Sequence, residues 1–298
     1  MRRGAAALVA MAGLTVTALV PAQGPSQAGG RGPATLELPF EAVMDGQPVR
    51  CGSIHAGQGS DRMKVTFSDL RLYVSAFHWI DPQGRAHRLS LVPDGQWQQA
   101  DVALLDFEDG SASCANGTRA TNTRVRLRRP QGGWPADMQA LSFEVGVPWR
   151  QNHQDATLAA APLQSSAMFW SWQGGYRFLK LELDVKTAQG MEGFPVHLGS
   201  TGCASTSMRT PPKTCAQPNR VTVRLAGSDW LHQQVRIDLS ALLRETRLGE
   251  QAPDTAPGCM SAPDDPDCHG VLKALGLRSG AVQRVFSAVP RPGHAPAP

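Results

Sequence analysis

The segment RFLKLELDV (residues 177–185) sets Leu179, Leu181, Leu183 and Val185 on one side of an extended chain and Lys180, Glu182 and Asp184 on the other. A repeat of two fits a strand with one dry and one wet face, and fits no helix. MKVTFSDLRLYVSAFHWI (63–80) reads as a longer strand, with Leu70, Leu72, Val74, Ala76 and His78 on one face. TLELPFEAVMDGQPVRC alternates around Asp45–Gly46, a strong hairpin signal. Shorter runs follow in HRLSLV, around Val125 and Leu127, and in MQALSFEV, FPVHLG, RVTVRL and QVRIDL. With 30 glycines, 23 prolines and only 18% charged residues, the chain suits a turn-rich β protein. The expectation is all-β: an antiparallel β-sandwich of about ten strands with long loops. SALLRETRL, with Ser240 as its N-cap, and VLKALGL, beyond Cys268, add one or two short C-terminal helices. No internal repeat or linker divides residues 34–277, which read as a single domain, and the Pro/Ala-rich residues 278–298 read as a frayed tail.

Arg2 and Arg3, the apolar AAALVAMAGLTVTALV and the small residues ending at Ala22 predict a secretory signal peptide over residues 1–22, with a Gly/Pro linker over 23–33. No other run approaches the roughly 18 apolar residues of a membrane span, so the expectation is an exported chain without membrane insertion. The formal charge of +4 falls to +2 once Arg2 and Arg3 are set aside. That excess is too small to argue for nucleic acid or an anionic membrane surface. Six cysteines in an exported chain make an even set and favour disulfides. Cys203 with Cys215 and Cys259 with Cys268 are easy local closures, leaving Cys51 with Cys114. Six cysteines permit fifteen connectivities, so this pairing is one hypothesis among them. No C-x-x-C occurs, which weakens a zinc or thiol-redox reading.

The remaining interest gathers in Gly146–Phe178, GVPWRQNHQDATLAAAPLQSSAMFWSWQGGYRF. Its middle, broken by Pro162, reads as a long loop carrying His153. It leads into MFWSW, where Met168, Trp170 and Trp172 share one side of an extended chain. Two indoles beside a histidine-bearing loop are compatible with plain core and with a site. Phosphate loops, dinucleotide-binding glycines, nucleophile elbows and H-E-x-x-H are all missing, giving little support to an enzyme with its own catalytic apparatus. The acids Asp106, Glu108 and Asp109, and later Asp264, Asp265 and Asp267, lack EF-hand spacing and read as solvated turn acids. Of eight histidines, His87, His232 and His294 read as surface and His78 as a core residue. His153, His197 and His55 lie at loop–strand junctions, where ligands are presented. Imidazole with thioether and aromatic neighbours suits copper better than magnesium or calcium.

CGSIHAGQG, SDLRLYVS, VALLDFEDGSASCANGT, GVPWRQNHQDATLAAAPL, MFWSWQGGYRF, VHLGSTGC, CAQPNR and GCMSAPDDPDC occur in this order. Together, over about residues 34–277, they resemble the MbnP-like "metallo-mystery pair, four-Cys motif" family. The resemblance implies an exported, periplasmic protein paired with an MbnH-like di-haem c-type oxidase related to the MauG enzymes. That partner oxidises a tryptophan to kynurenine, and the modified protein binds copper, with no organic cofactor. Trp170 and Trp172 match the two tryptophans of the family's MFWSW, either being the modified one. His153 and His197 match its loop and HLGSTGC histidines and are the implied copper ligands. Cys51, Cys114, Cys203 and Cys215 match the four cysteines of its name. His55 is a departure, standing where such sequences more often carry tyrosine; it is a further candidate ligand or a tolerated change. The rival is a secreted, disulfide-stapled β-sandwich that docks a partner without metal.

Overall fold

The computed structural model describes Met1 and residues 33–293, apart from Ala100, Asn116, Trp172, Met208 and Arg209. The signal peptide, nearly all of the linker, His294 and Trp172 therefore lie outside the described residues. Two sheets carry the fold. The larger has eight strands built around Met63–Ile80. Leu179–Lys186 runs antiparallel to the first half of that strand and Ala140–Val145 to the second. Met191–Leu198 and Val221–Ala226 extend the sheet outward on the two sides. The smaller sheet is built around Thr35–Met44, which pairs antiparallel with Arg124–Arg128 and parallel with Gln233–Asp238. The sheets pack face to face: the Phe143 ring of the larger meets Phe40 and Phe286 of the smaller edge-on, at 5.6 and 5.9 Å. This is the expected β-sandwich; among the described strands the parallel pairing is that of Thr35–Met44 with Gln233–Asp238, and an isolated parallel bridge joins Val196 to Cys259. Among the described residues no helix is long and apolar enough to cross a membrane.

Local chemistry accounts for several elements. Asp45 and Gly46 both take positive φ, as a two-residue hairpin turn requires. The long strand departs from strict alternation at two bulges. Its pairing skips Ser68 opposite Glu182–Leu183, and shifts again between Ser75 and His78, where Ala76 has φ +52°. Each extra residue reverses which side faces inward. Phe77 is therefore buried, whereas Ala76 and His78, expected on the apolar face, are half-exposed.

Three further expectations need correction. The first C-terminal helix is Leu239–Leu243, capped by Asp238, whose Oδ1 accepts from Ala241 N at 2.9 Å; Ser240 lies inside the first turn. The second, Pro266–Ala274, contains Cys268 instead of following it, and Asp265 caps it. The C-terminal tail is ordered at Phe286–Pro290, an edge strand on Gln233–Asp238, because Val285 and Phe286 have core positions to fill. The three disulfides are Cys51–Cys114, Cys203–Cys215 and Cys259–Cys268. The second joins directly opposed residues of a separate two-stranded ribbon, Thr201–Ala204 with Thr214–Gln217.

Candidate functional site

At one end of the larger sheet, the segment after Ala140–Val145 folds back as a short helix, Trp149–Asn152. His153 ends it, and the chain then runs in turns to Met168. Both tyrosines hold this excursion down: the buried hydroxyls of Tyr73 and Tyr176 donate to the carbonyls of Pro162 and Leu163 at 3.1 and 2.8 Å. Phe169–Ser171 and Gly175–Tyr176 then form a small hairpin. Met168 is fully buried beneath it, Phe169 meets Tyr176 edge-on at 5.6 Å, and Trp170 is half-exposed.

Asn152 ties the hairpin to the helix. Its Oδ1 accepts from Tyr176 N at 2.9 Å, and its Nδ2 donates to Gly174 O at 3.1 Å and faces His153 Nε2 at 3.2 Å. The approach is so close that a Cβ on Gly175, which has φ +79°, would lie 2.2 Å from Asn152 O. Only glycine fits there.

His153 is 6% exposed, and its ring lies 4.3 Å from that of Trp149. Because the Asn152 amide nitrogen only donates, Nε2 must be the accepting nitrogen, its lone pair taken up by that contact. Cys215 Sγ is 3.9 Å from it. Nδ1 is buried without a well-formed hydrogen bond. Burial lowers the imidazole pKa, and the nearby Gln173 backbone opposes that only in part. A neutral imidazole is the metal-binding form.

Trp170 lies against Gly199 so tightly that an added Cβ would sit 2.7 Å from its Cε3. With Ser171, Gln173, Gly174, Ser200 and Cys203 it lines a cleft of about 240 Å³. The Arg177 guanidinium stands 5.9 Å from the Trp170 ring centroid, held by the carbonyls of Ala167 and Phe169. Arg177 Nε donates to His197 Nδ1 at 3.2 Å, and His197 Nε2 donates to Glu182 at 3.2 Å. Both His197 nitrogens are therefore occupied. Glu182 is held down to about 2, chiefly by the His197 hydrogen bond and further by Lys180.

The ionic contacts continue across the sheet. Asp106, Arg71, Lys180 and His197 occupy one row of paired positions on four adjacent strands. Arg71 pairs with Asp69, Asp106 and Glu108, and Lys180 with Asp69 and Glu182. Asp106 and Glu108, expected as solvated turn acids, are instead buried ion-pair partners, at 5% and 1% exposure. Asp265 and Asp267 are likewise buried, at the helix cap.

The structure thus brings His153, Trp170 and the Cys203–Cys215 bridge to one place, with His197 behind them as a brace. His55 is elsewhere. It pairs with Val65, seven residues and roughly 20 Å along the sheet from Leu72, whose row leads through Leu179 to Leu198, the residue before Gly199. There it hydrogen-bonds Ser53 Oγ at 2.9 Å. Among the described residues, the one group of three or more His, Cys, Asp or Glu side chains whose ligand atoms converge is His153, Cys203 and Cys215, within 4.8 Å of one another. The sulfurs are bonded to each other, so as it stands this group offers one imidazole. Sequence reasoning missed Asn152 and Arg177, which fix the geometry. Asn152 stands directly before His153, and Arg177 directly after Tyr176.

A disulfide-stapled β-sandwich with a tryptophan-lined cleft at one sheet end, and a buried histidine on the helix turn tied to it, is the class of protein that fold and site define. Comparison with known proteins makes this specific. The MbnP family pattern matches residues 33–261, and the chain belongs to that family. A solved structure, MbnP from Methylosinus trichosporium, is 33% identical with a TM-score of 0.72, over 85% of this chain and 97% of that one. A comparison with curated proteins finds no match.

Proposed function

We propose that the chain is an exported, periplasmic copper-binding protein, not itself an enzyme, and the substrate of an MbnH-like di-haem oxidase. That partner converts Trp170 or Trp172 to kynurenine. Membership of the MbnP family supports this reading, and one observation carries it: His153, buried, with only the Asn152 amide to displace from Nε2, is tied through Asn152 to the hairpin that presents Trp170 at an open cleft. Opening the indole ring leaves an aromatic amine and a ketone, donors that no encoded side chain supplies. With one imidazole already present, such a donor set suits copper. His153 is the protein ligand. His197 acts through Arg177, orienting the Trp170 face, because both of its nitrogens are bonded. His55 has no part in the site.

The test is the mass of the peptide spanning Met168–Arg177 after co-expression with the di-haem partner. A gain of about 4 Da on one tryptophan, one ring carbon lost and one oxygen gained, is the expected result. Copper titration of that form should then show binding that His153→Ala abolishes. An unmodified peptide beside an active partner would remove the claim.

A further inference from the structure

The converging group His153, Cys203 and Cys215 has a second state. Neither Cys203 nor Cys215 is buried, whereas each of the other two bridges has at least one fully buried sulfur residue (Cys114, and both Cys259 and Cys268). The bridge also lies in a ribbon outside both main sheets, and Cys203 lines the cleft. An incoming thiol therefore reaches this disulfide before the others. Facing it is His153 Nε2, 3.9 Å from Cys215 Sγ, on an imidazole 94% withdrawn from solvent whose Nδ1 has no well-formed partner. A metal held at about 2.3 Å by sulfur and about 2.0 Å by imidazole nitrogen, in a trigonal arrangement, keeps those two donors roughly 3.7 Å apart. The observed separation is close to that. The ring is already where a thiolate-bound ion would need it.

We propose that Cys203–Cys215 is a redox gate, and that its reduction creates a soft-metal site in which Cys203, Cys215 and His153 bind monovalent copper. A dithiol donor supplies two electrons and two protons by exchange. The Sγ–Sγ bond breaks, the donor becomes a disulfide, and both cysteines become thiols. Monovalent copper then displaces the two thiol protons to solvent with no change in its own oxidation state. Two thiolates and an imidazole are donors that favour monovalent copper over hard cations. Asn152 gives up only its contact with Nε2 and keeps its bonds to Tyr176 and Gly174. The choice of metal rests on the copper reading above; the gate itself needs no kynurenine.

The experiment uses the full chain expressed without a di-haem partner, its tryptophans verified intact by mass. The protein is mildly reduced with a water-soluble phosphine, then alkylated with or without monovalent copper, and the labelled cysteines are located by peptide mass. Cys203 and Cys215 should be labelled first, before Cys51, Cys114, Cys259 and Cys268. Copper should slow that labelling at least tenfold. His153→Gln, with native near-ultraviolet dichroism, should open as easily and lose most of the protection. Two results overturn the proposal: another bridge opening first, or copper protection that is absent or unchanged in His153→Gln. Failure to find kynurenine after co-expression would leave these outcomes untouched, so the two readings fail separately.

Discussion

Asn152→Ala isolates the tie between the helix and the aromatic hairpin. Asn152 is 2% exposed and holds the buried Tyr176 N–H and the Gly174 carbonyl. Truncation leaves the Tyr176 N–H without an acceptor, a desolvation penalty of about 1–3 kcal/mol, and adds a small void. The other ties, Arg177 N to Met168 O and the Arg177 fork to Ala167 and Phe169, remain. The loss should therefore appear as local opening of the hairpin more than as global unfolding. At about 2–3 kcal/mol, amide exchange at Tyr176 should accelerate roughly 30- to 150-fold, since each 1.4 kcal/mol is tenfold. Hydrogen exchange read by mass on the peptide 168–177 measures it, with the Leu179–Lys186 strand as internal reference. Asn152→Asp keeps the acceptor for Tyr176 N and loses only the donor, so it should recover part of the protection. Exchange at Tyr176 within threefold of the parent in a folded Asn152→Ala protein would refute the tie.

Two further perturbations test the surroundings. Gly199→Ala places a methyl 2.7 Å from Trp170 Cε3 and 2.9 Å from the Tyr176 carbonyl. It should cost roughly 1–3 kcal/mol in thermal unfolding and shift the tryptophan emission, and an unchanged spectrum would mean that Trp170 does not rest there. The Asp106 carboxyl is pushed up to about 7, first by burial and then by Glu108 and Asp69, with Arg71 opposing. The native state therefore holds a proton that the unfolded chain releases near pH 4, so stability should fall as pH rises from about 4 to about 7 and level off above. Asp106→Asn should remove that part of the slope in melting temperature against pH; an identical slope in the variant would assign it to other groups.

What the sequence reveals and what it hides follow from the range of the forces involved. Alternation betrays strands such as Leu179–Lys186, because burying one face is a local demand written every second residue. The bulges at Ser68 and Ala76 are not legible, since one extra residue changes the parity without changing composition. The parallel pairing of Thr35–Met44 with Gln233–Asp238 joins segments almost two hundred residues apart, and no local pattern encodes it. Proline and alanine around Phe286 hide an edge strand that is set by the core space Phe286 fills. In the site, the motif residues His153 and Trp170 stand out, but Asn152 and Arg177 act through contacts that need the hairpin to be folded first.

His197 is the instructive case. In FPVHLG, the inward residues are Phe194, Val196 and Leu198, which leaves His197 on the opposite face; by the same alternation Lys180 and Glu182 leave the apolar face of their own strand. Two such strands paired side by side must bring those polar side chains together, and the register sets Lys180 opposite His197. An imidazole between a carboxylate and a guanidinium donates to one and accepts from the other, so this pairing uses both nitrogens. The same alternation that marks the strand therefore argues for His197 as a brace, whereas His153, on a turn outside any sheet, meets only the neutral Asn152 amide at Nε2 and stands 3.9 Å from Cys215 Sγ. Of two histidines in similar loop–strand settings, the one outside the ladder is held at Nε2 by one neutral amide instead of by a charged pair. The one inside it holds Arg177 against Trp170.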